Sequence, residues 1–185
     1  MQPHFALLAS YNRWMNERLY AAAGTLSAEA LARDRGAFFG SILGTLNHLV
    51  VADTIWLQRF ANLPGRDAIL APVRALPTPR ALDAMPFPDF AALTAHRRWL
   101  DDIIERWVAD LGDDDLRQVL RYANTRGDRF GRELASLLVH FFNHQTHHRG
   151  QTTTLLSQAG VDVGITDLLA LIPDAGADAA PPHPH

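Results

Sequence analysis

Four stretches of this chain repeat apolar residues at three- and four-residue spacing over several turns, the periodicity of a helix that buries one face. Phe5, Leu8, Tyr11 or Asn12, Met15, Leu19 and Ala22 mark the first, over residues 4–23, ended by Gly24. The second carries Ile42, Leu46, Leu49, Val50, Trp56, Leu57 and Phe60, with Ser41 placed to cap it and Pro64 to close it. The third begins near Pro88 with Asp89 in its first turn and runs through Leu93, Trp99, Leu100, Ile103, Ile104 and Trp107 to Gly112. The fourth covers residues 132–158 with Leu134, Leu137, Leu138, Phe141, Phe142, Leu155 and Leu156, and stops at Gly160. Four such helices predict an all-α four-helix bundle. Six of the 11 prolines fall in residues 62–88, which predicts a long, extended crossover between helices two and three. Between helices three and four, residues 116–131 set Val119, Leu120, Tyr122 and Phe130 around a turn at 124–128, so a short β-hairpin is expected. A last short helix is expected to dock at 167–172. The reading is one domain over residues 1–172, followed by an alanine- and proline-rich tail over 173–185 expected to be disordered.

Composition narrows the chemistry. The chain has no cysteine, so disulfides, thiolate metal sites and a cysteine nucleophile are all excluded, and any thiol must come from a substrate. All 17 cationic side chains are arginine, which removes Schiff-base catalysis by lysine. A net charge of -3 argues against a general nucleic-acid binder. The densest basic stretch, residues 117–132, is interrupted by Asp128, follows Asp113, Asp114 and Asp115, and reads as solvated. No apolar run approaches the ~20 residues of a membrane span, and no secretory signal opens the chain, so a cytoplasmic protein is expected.

Four of the nine histidines, His140, His144, His147 and His148, fall on helix four. Residues four apart on a helix share a face, so His144 and His148 can present ring nitrogens to one point. His147 points roughly 60° away from His144 and is the weaker ligand candidate. His140, one turn back on the same stripe, is better placed to support a ligand than to be one. The other histidine set in a strongly apolar helical stretch is His48, between Leu46-Asn47 and Leu49-Val50-Val51. A bundle core is where facing helices build metal sites, and three nitrogen ligands would leave a coordination position open. Helix-borne histidines also occur as solvent-facing or packed residues, and periodicity alone does not choose between these readings. Asp53, five residues after His48, lies about 140° around the helix and suits a cap or an arginine pair better than the same ion. No Glu-x-x-His and no His-Glu-x-x-His occurs, which disfavours a di-iron carboxylate bundle and a thermolysin-type base.

The segment Asn143-His144-Gln145-Thr146-His147-His148-Arg149-Gly150-Gln151 resembles the signature of the DinB family, the DinB/YfiT-like metalloenzymes. The likeness extends to Tyr11-Asn12-Arg13-Trp14-Met15-Asn16, to Leu46-Asn47-His48 with Asp53 and Trp56-Leu57, and to Gly164-Ile165-Thr166-Asp167-Leu168-Leu169. The resemblance implies a four-helix bundle, frequent homodimers, and a metal held by one histidine of helix two and two of helix four. Those ligands fall on His48, His144 and His148.

Neutral ligands would leave the ion's full charge to act on whatever fills its open position, lowering the pKa of a bound water or thiol. The family resemblance extends to relatives that use low-molecular-weight thiols, so a small-molecule, thiol-dependent S-transferase is the leading expectation. Metal-dependent hydrolysis and a non-catalytic metal-binding stress or interaction module are the alternatives. Histidine donors suit zinc, nickel, iron and copper alike. Gln151, His140 and Asn47 are the candidates to hold the outer ring nitrogens of the ligands. Arg149 is read as an anion contact or an exposed ion pair, and Trp14, Trp56 and Trp99 as core anchors.

Overall fold

Each of the four expected long helices forms, and local chemistry explains where three of them begin. The computed structural model describes residues 1–65, 68–124 and 126–174. Helix α1 (Gln2–Ala23) has Pro3 in its first turn, where the missing N–H has no helical partner to lose. A short α2 (Ala28–Ala32) is capped by Ser27, which accepts from Ala30 N–H. The Ser41 hydroxyl accepts from Gly44 N–H at 3.0 Å and starts α3 (Ile42–Phe60). After α4 (Ala71–Arg74), the Asp89 carboxylate caps α5 (Phe90–Asp110) through Ala92 N–H. The turn α6 (Asp113–Leu116) leads into an antiparallel hairpin of β1 (Val119–Ala123) and β2 (Arg129–Glu133), in register from Val119 opposite Glu133 to Ala123 opposite Arg129. Asn124 holds its turn by accepting from the Arg126 and Asp128 N–H groups. Helix α7 (Leu134–Gln158) follows, and Gly160 at φ 78° turns the chain away. The expected last short helix forms as a 3₁₀-helix over Leu168–Leu171. It docks beside α1, and the Tyr11 hydroxyl donates to the Thr166 carbonyl at 2.6 Å. The tail expected over 173–185 lies, from residue 175 on, outside the described residues.

Helix α1 packs on α5 and α7, and α3 packs on the same two, so the long helices close into a ring with α1 and α3 across a diagonal. Phe60, Trp107 and Phe141 fill its centre, Phe60 lying 5.0 Å from the Trp107 ring centroid and 5.7 Å from that of Phe141. Trp107 is the fully buried tryptophan. Trp14, Trp56 and Trp99, expected as core anchors, are only partly buried.

The crossover is not simply extended. Pro72 sits in the first turn of α4, where proline is tolerated, and Leu63, Leu70 and Val73 are buried under it. The strap is tied to α3 by side chains. Gln58 donates its amide to the Val73 and Leu76 carbonyls, and Asn47 both donates to the Phe87 carbonyl and accepts from its N–H. Residues 41–55 are consequently buried on every side.

A polar layer crosses the ring. Arg97 pairs with Asp53 and with Asp101, and Asp101 accepts from Asn12 and Asn16. Arg149 donates to Asn12 and Gln145. All seven side chains are at most 2% exposed. Two arginines face two aspartates, so the layer is close to neutral and its charges are mutually compensated. Asp53 thus takes the arginine pairing expected of it. Arg149 does not take either expected role, because its guanidinium is drawn into the bundle by these acceptors. Among the described residues no helix is long and apolar enough to cross a membrane.

Candidate metal centre

Helices α3 and α7 lie side by side, and this contact brings His48 toward His144 and His148. Their Nε2 atoms stand 3.4 Å (His48 to His144) and 3.2 Å (His48 to His148) apart. One ring nitrogen from each of the three lies within 4.8 Å of the others, and no other cluster of this kind occurs among the described residues. Nitrogens bound at 2.0–2.1 Å to a tetrahedral ion are separated by ~3.3 Å, so the two short separations fit an ion between the rings.

Contacts to the outer nitrogens set the protonation of two of the three rings. His48 Nδ1 faces the Leu82 carbonyl at 2.8 Å, and a carbonyl can only accept, so Nδ1 carries the proton and Nε2 presents a lone pair. His148 Nδ1 faces Gln151 Oε1 at 2.8 Å with the same consequence. Two acceptor lone pairs thus confront each other across 3.2 Å, which is repulsive unless a cation lies between them. Burial lowers the pKa of His48 to about 4, opposed by its bond to Leu82. Burial, then the charges of the neighbouring histidines, lowers His144 to about 3. Burial also lowers His148, opposed by Gln151. Neutral imidazole, the form that binds metals, is therefore favoured at all three.

The surroundings are supplied by parts of the chain with no sequence signal. Phe39, in the loop before α3, stacks on His48 with ring centroids 3.8 Å apart and meets His148 edge-on at 5.5 Å. Leu82 comes from the crossover and contributes only its carbonyl, which any residue could supply. On the other side a cavity of about 220 Å³, lined by His48, Ala52, Ile55, Trp56, Arg59, Leu82, Asn124, His140 and His144, gives access to the rings.

Of the expected supporting residues, Gln151, expected one helical repeat from His144, does hold a ring nitrogen, but that of His148. Asn47 does not support a histidine: it is fully buried and bonds the Leu43 carbonyl and Phe87. The strap residue Leu82 takes the role instead. His140 makes no hydrogen bond to the cluster. Its ring packs on Trp56 at 5.1 Å and lies 6.0 Å from that of His144, because α7 turns it toward the cavity wall. His147 stays outside the cluster, exposed, with Nε2 3.2 Å from Gln151 Nε2.

Fold and site together define a four-helix bundle with three histidines, from two facing helices, that could hold one metal ion. The sequence profile of the DinB family matches residues 1–178, and the chain belongs to that family. It is 26% identical over 162 residues to Protein DinB of Bacillus subtilis (strain 168), covering 86% of this chain and 88% of that one. No solved structure matches it.

Proposed function

We propose that His48, His144 and His148 hold a divalent transition-metal ion and that the protein is a metal-dependent enzyme of the thiol-dependent S-transferase type. The observation that carries the metal is the pair of unprotonated Nε2 atoms 3.2 Å apart, each held in that tautomer by an acceptor behind it. Such an ion, when bound, would lower the pKa of a thiol or water at its remaining position. The cavity beside His48 and His144 supports access by a small molecule rather than a closed structural site. The absence of cysteine means that the thiol would be a cosubstrate. In the transfer, the thiol sulfur forms a bond to an electrophilic carbon. The leaving group departs with its bonding pair, and the thiol proton passes to solvent or to that group. Phe39 and Leu82 orient His48, and Gln151 orients His148. A homodimer in the cytoplasm acting on a small molecule completes the reading.

The test is elemental analysis of protein purified without a metal-affinity column, followed by assay of the reconstituted protein with thiols and electrophiles. Stoichiometric metal, with thiol transfer that disappears on chelation and returns with metal, is expected. The rate should rise with pH through the apparent pKa of the thiol and then level off. Turnover of an ester or amide without any thiol would replace this reading by metal-dependent hydrolysis. Full occupancy without turnover across a broad panel would replace it by a non-catalytic metal-binding module.

A further inference from the structure

The cavity beside the histidines continues into a second, larger cleft of about 460 Å³, and the two share Ile55, Arg59 and Asn124 in their walls. The larger cleft is lined by Gln58, Asn62, Arg74, Thr78 and Arg80 in addition, and among the described residues it contains no carboxylate. Arg59 stands at the junction. Its guanidinium lies 4.6 Å from the Trp56 ring centroid and 5.0 Å from that of Tyr122, so it is held in place by aromatic faces. Arg59 and Arg80 have no acidic partner among the described residues. In the same wall Gln58 spends its amide N–H groups on the Val73 and Leu76 carbonyls, leaving its buried Oε1 without a partner.

We infer that this cleft is the subsite for the anionic end of the substrate, a small organic acid bearing carboxylate or phosphate, which Arg59 and Arg80 bind while its reactive end reaches His48 and His144. The inference rests on the proposed metal site and extends it to substrate class. Two guanidinium groups without carboxylates in a half-enclosed cleft favour an oxyanion, since Arg presents a planar fork of donors to carboxylate and phosphate. Thiol and anion can then belong to one molecule, sulfur toward the histidines and acid toward the arginines.

The experiment compares two thiols on the Co(II)-loaded protein, reading the sulfur-to-cobalt charge-transfer band. Glutathione carries free carboxylates, and its diethyl ester carries the same thiol with the carboxylates masked. Glutathione is expected to half-saturate the band at about tenfold lower concentration than the ester, the effect of a charge-assisted contact. R59Q and R80Q should each bring the two thiols close together by weakening glutathione alone. Arg80 is exposed, so R80Q tests the site without disturbing the Trp56 packing. In parallel, tricarballylate is titrated calorimetrically into the metal-free protein, where saturable binding that R59Q and R80Q abolish is expected. An unchanged preference for glutathione in both variants, or tricarballylate binding indifferent to them, would overturn the inference. Bound cobalt with no thiol band would remove the thiol reading, and the tricarballylate titration would then decide the anion subsite alone.

Discussion

An imidazole becomes a metal ligand through its far nitrogen as much as its near one, and each outer contact here comes from a different kind of source. His148 is oriented by a side chain three residues on in its own helix, and His48 by a carbonyl 34 residues away. Replacing His144 or His148 by alanine is expected to abolish stoichiometric metal binding, while His147→Ala leaves most of it. Equal loss in all three, measured by elemental analysis of desalted protein, would mean that the wrong pair has been assigned. Gln151→Leu keeps all three histidines but removes the acceptor behind His148. It should weaken metal affinity by roughly 10- to 100-fold in a competition titration against a chelator, as outer-contact losses generally do. An affinity within twofold of the parent protein would show that Gln151 does not orient the ring.

At the scale of the element, α3 is the most constrained piece of the molecule. Gly44 sits in its first turns, and a Cβ there would run into the Phe39 carbonyl oxygen, which belongs to backbone and cannot swing away. Alanine is the better helix former by nearly 1 kcal/mol in an exposed helix, yet Gly44→Ala is expected to destabilise by about 1–3 kcal/mol in urea unfolding. The same change should push Phe39 off the His48 ring. A stabilised variant would mean that the loop before α3 yields freely. Between elements, Arg97 on α5 neutralises Asp53 on α3 and Asp101 on its own helix. Arg97→Met leaves both carboxylates buried beside Arg149 alone and should lower stability by about 3–5 kcal/mol. A loss under 1 kcal/mol would indicate that the polar layer rehydrates or protonates without resistance.

Across the whole molecule, the histidines couple folding to pH. His48 and His96 are lowered to about 4 and His144 to about 3, burial being the largest cause for each. The unfolded chain titrates these groups near pH 6.5. Between those values the unfolded state binds protons that the folded state refuses. The contribution to stability is therefore full above about pH 6.5 and is lost as pH falls toward 4. With metal removed by chelation, the urea midpoint is expected to drop steadily from pH 7 to pH 5. The double variant His48→Gln/His144→Gln should drop less steeply. Parallel slopes would assign the acid sensitivity to other groups.

The helical periodicity of four stretches, the serine and aspartate at two helix starts, the hairpin turn at 124–128 and the four-residue spacing of His144 and His148 were all readable along the chain, because each is set by neighbours within a few residues. So was Gln151 as a supporting side chain one helical repeat from His144, although only the structure shows that the ring it holds is that of His148. The rest depended on which surfaces meet. Arg149 looks like any exposed cation until Asn12 and Gln145 are found beside it, and Asn47 looks like support for a metal ligand until Phe87 claims its amide. The Leu82 carbonyl and the Phe39 stack on His48 have no local pattern at all. Backbone carbonyls are present at every residue, so only the path of the crossover over α3 selects one of them. The periodicity of the sequence therefore determined the helices and two of the three histidines, while tertiary packing decided what stands behind each ring and what opens in front of it.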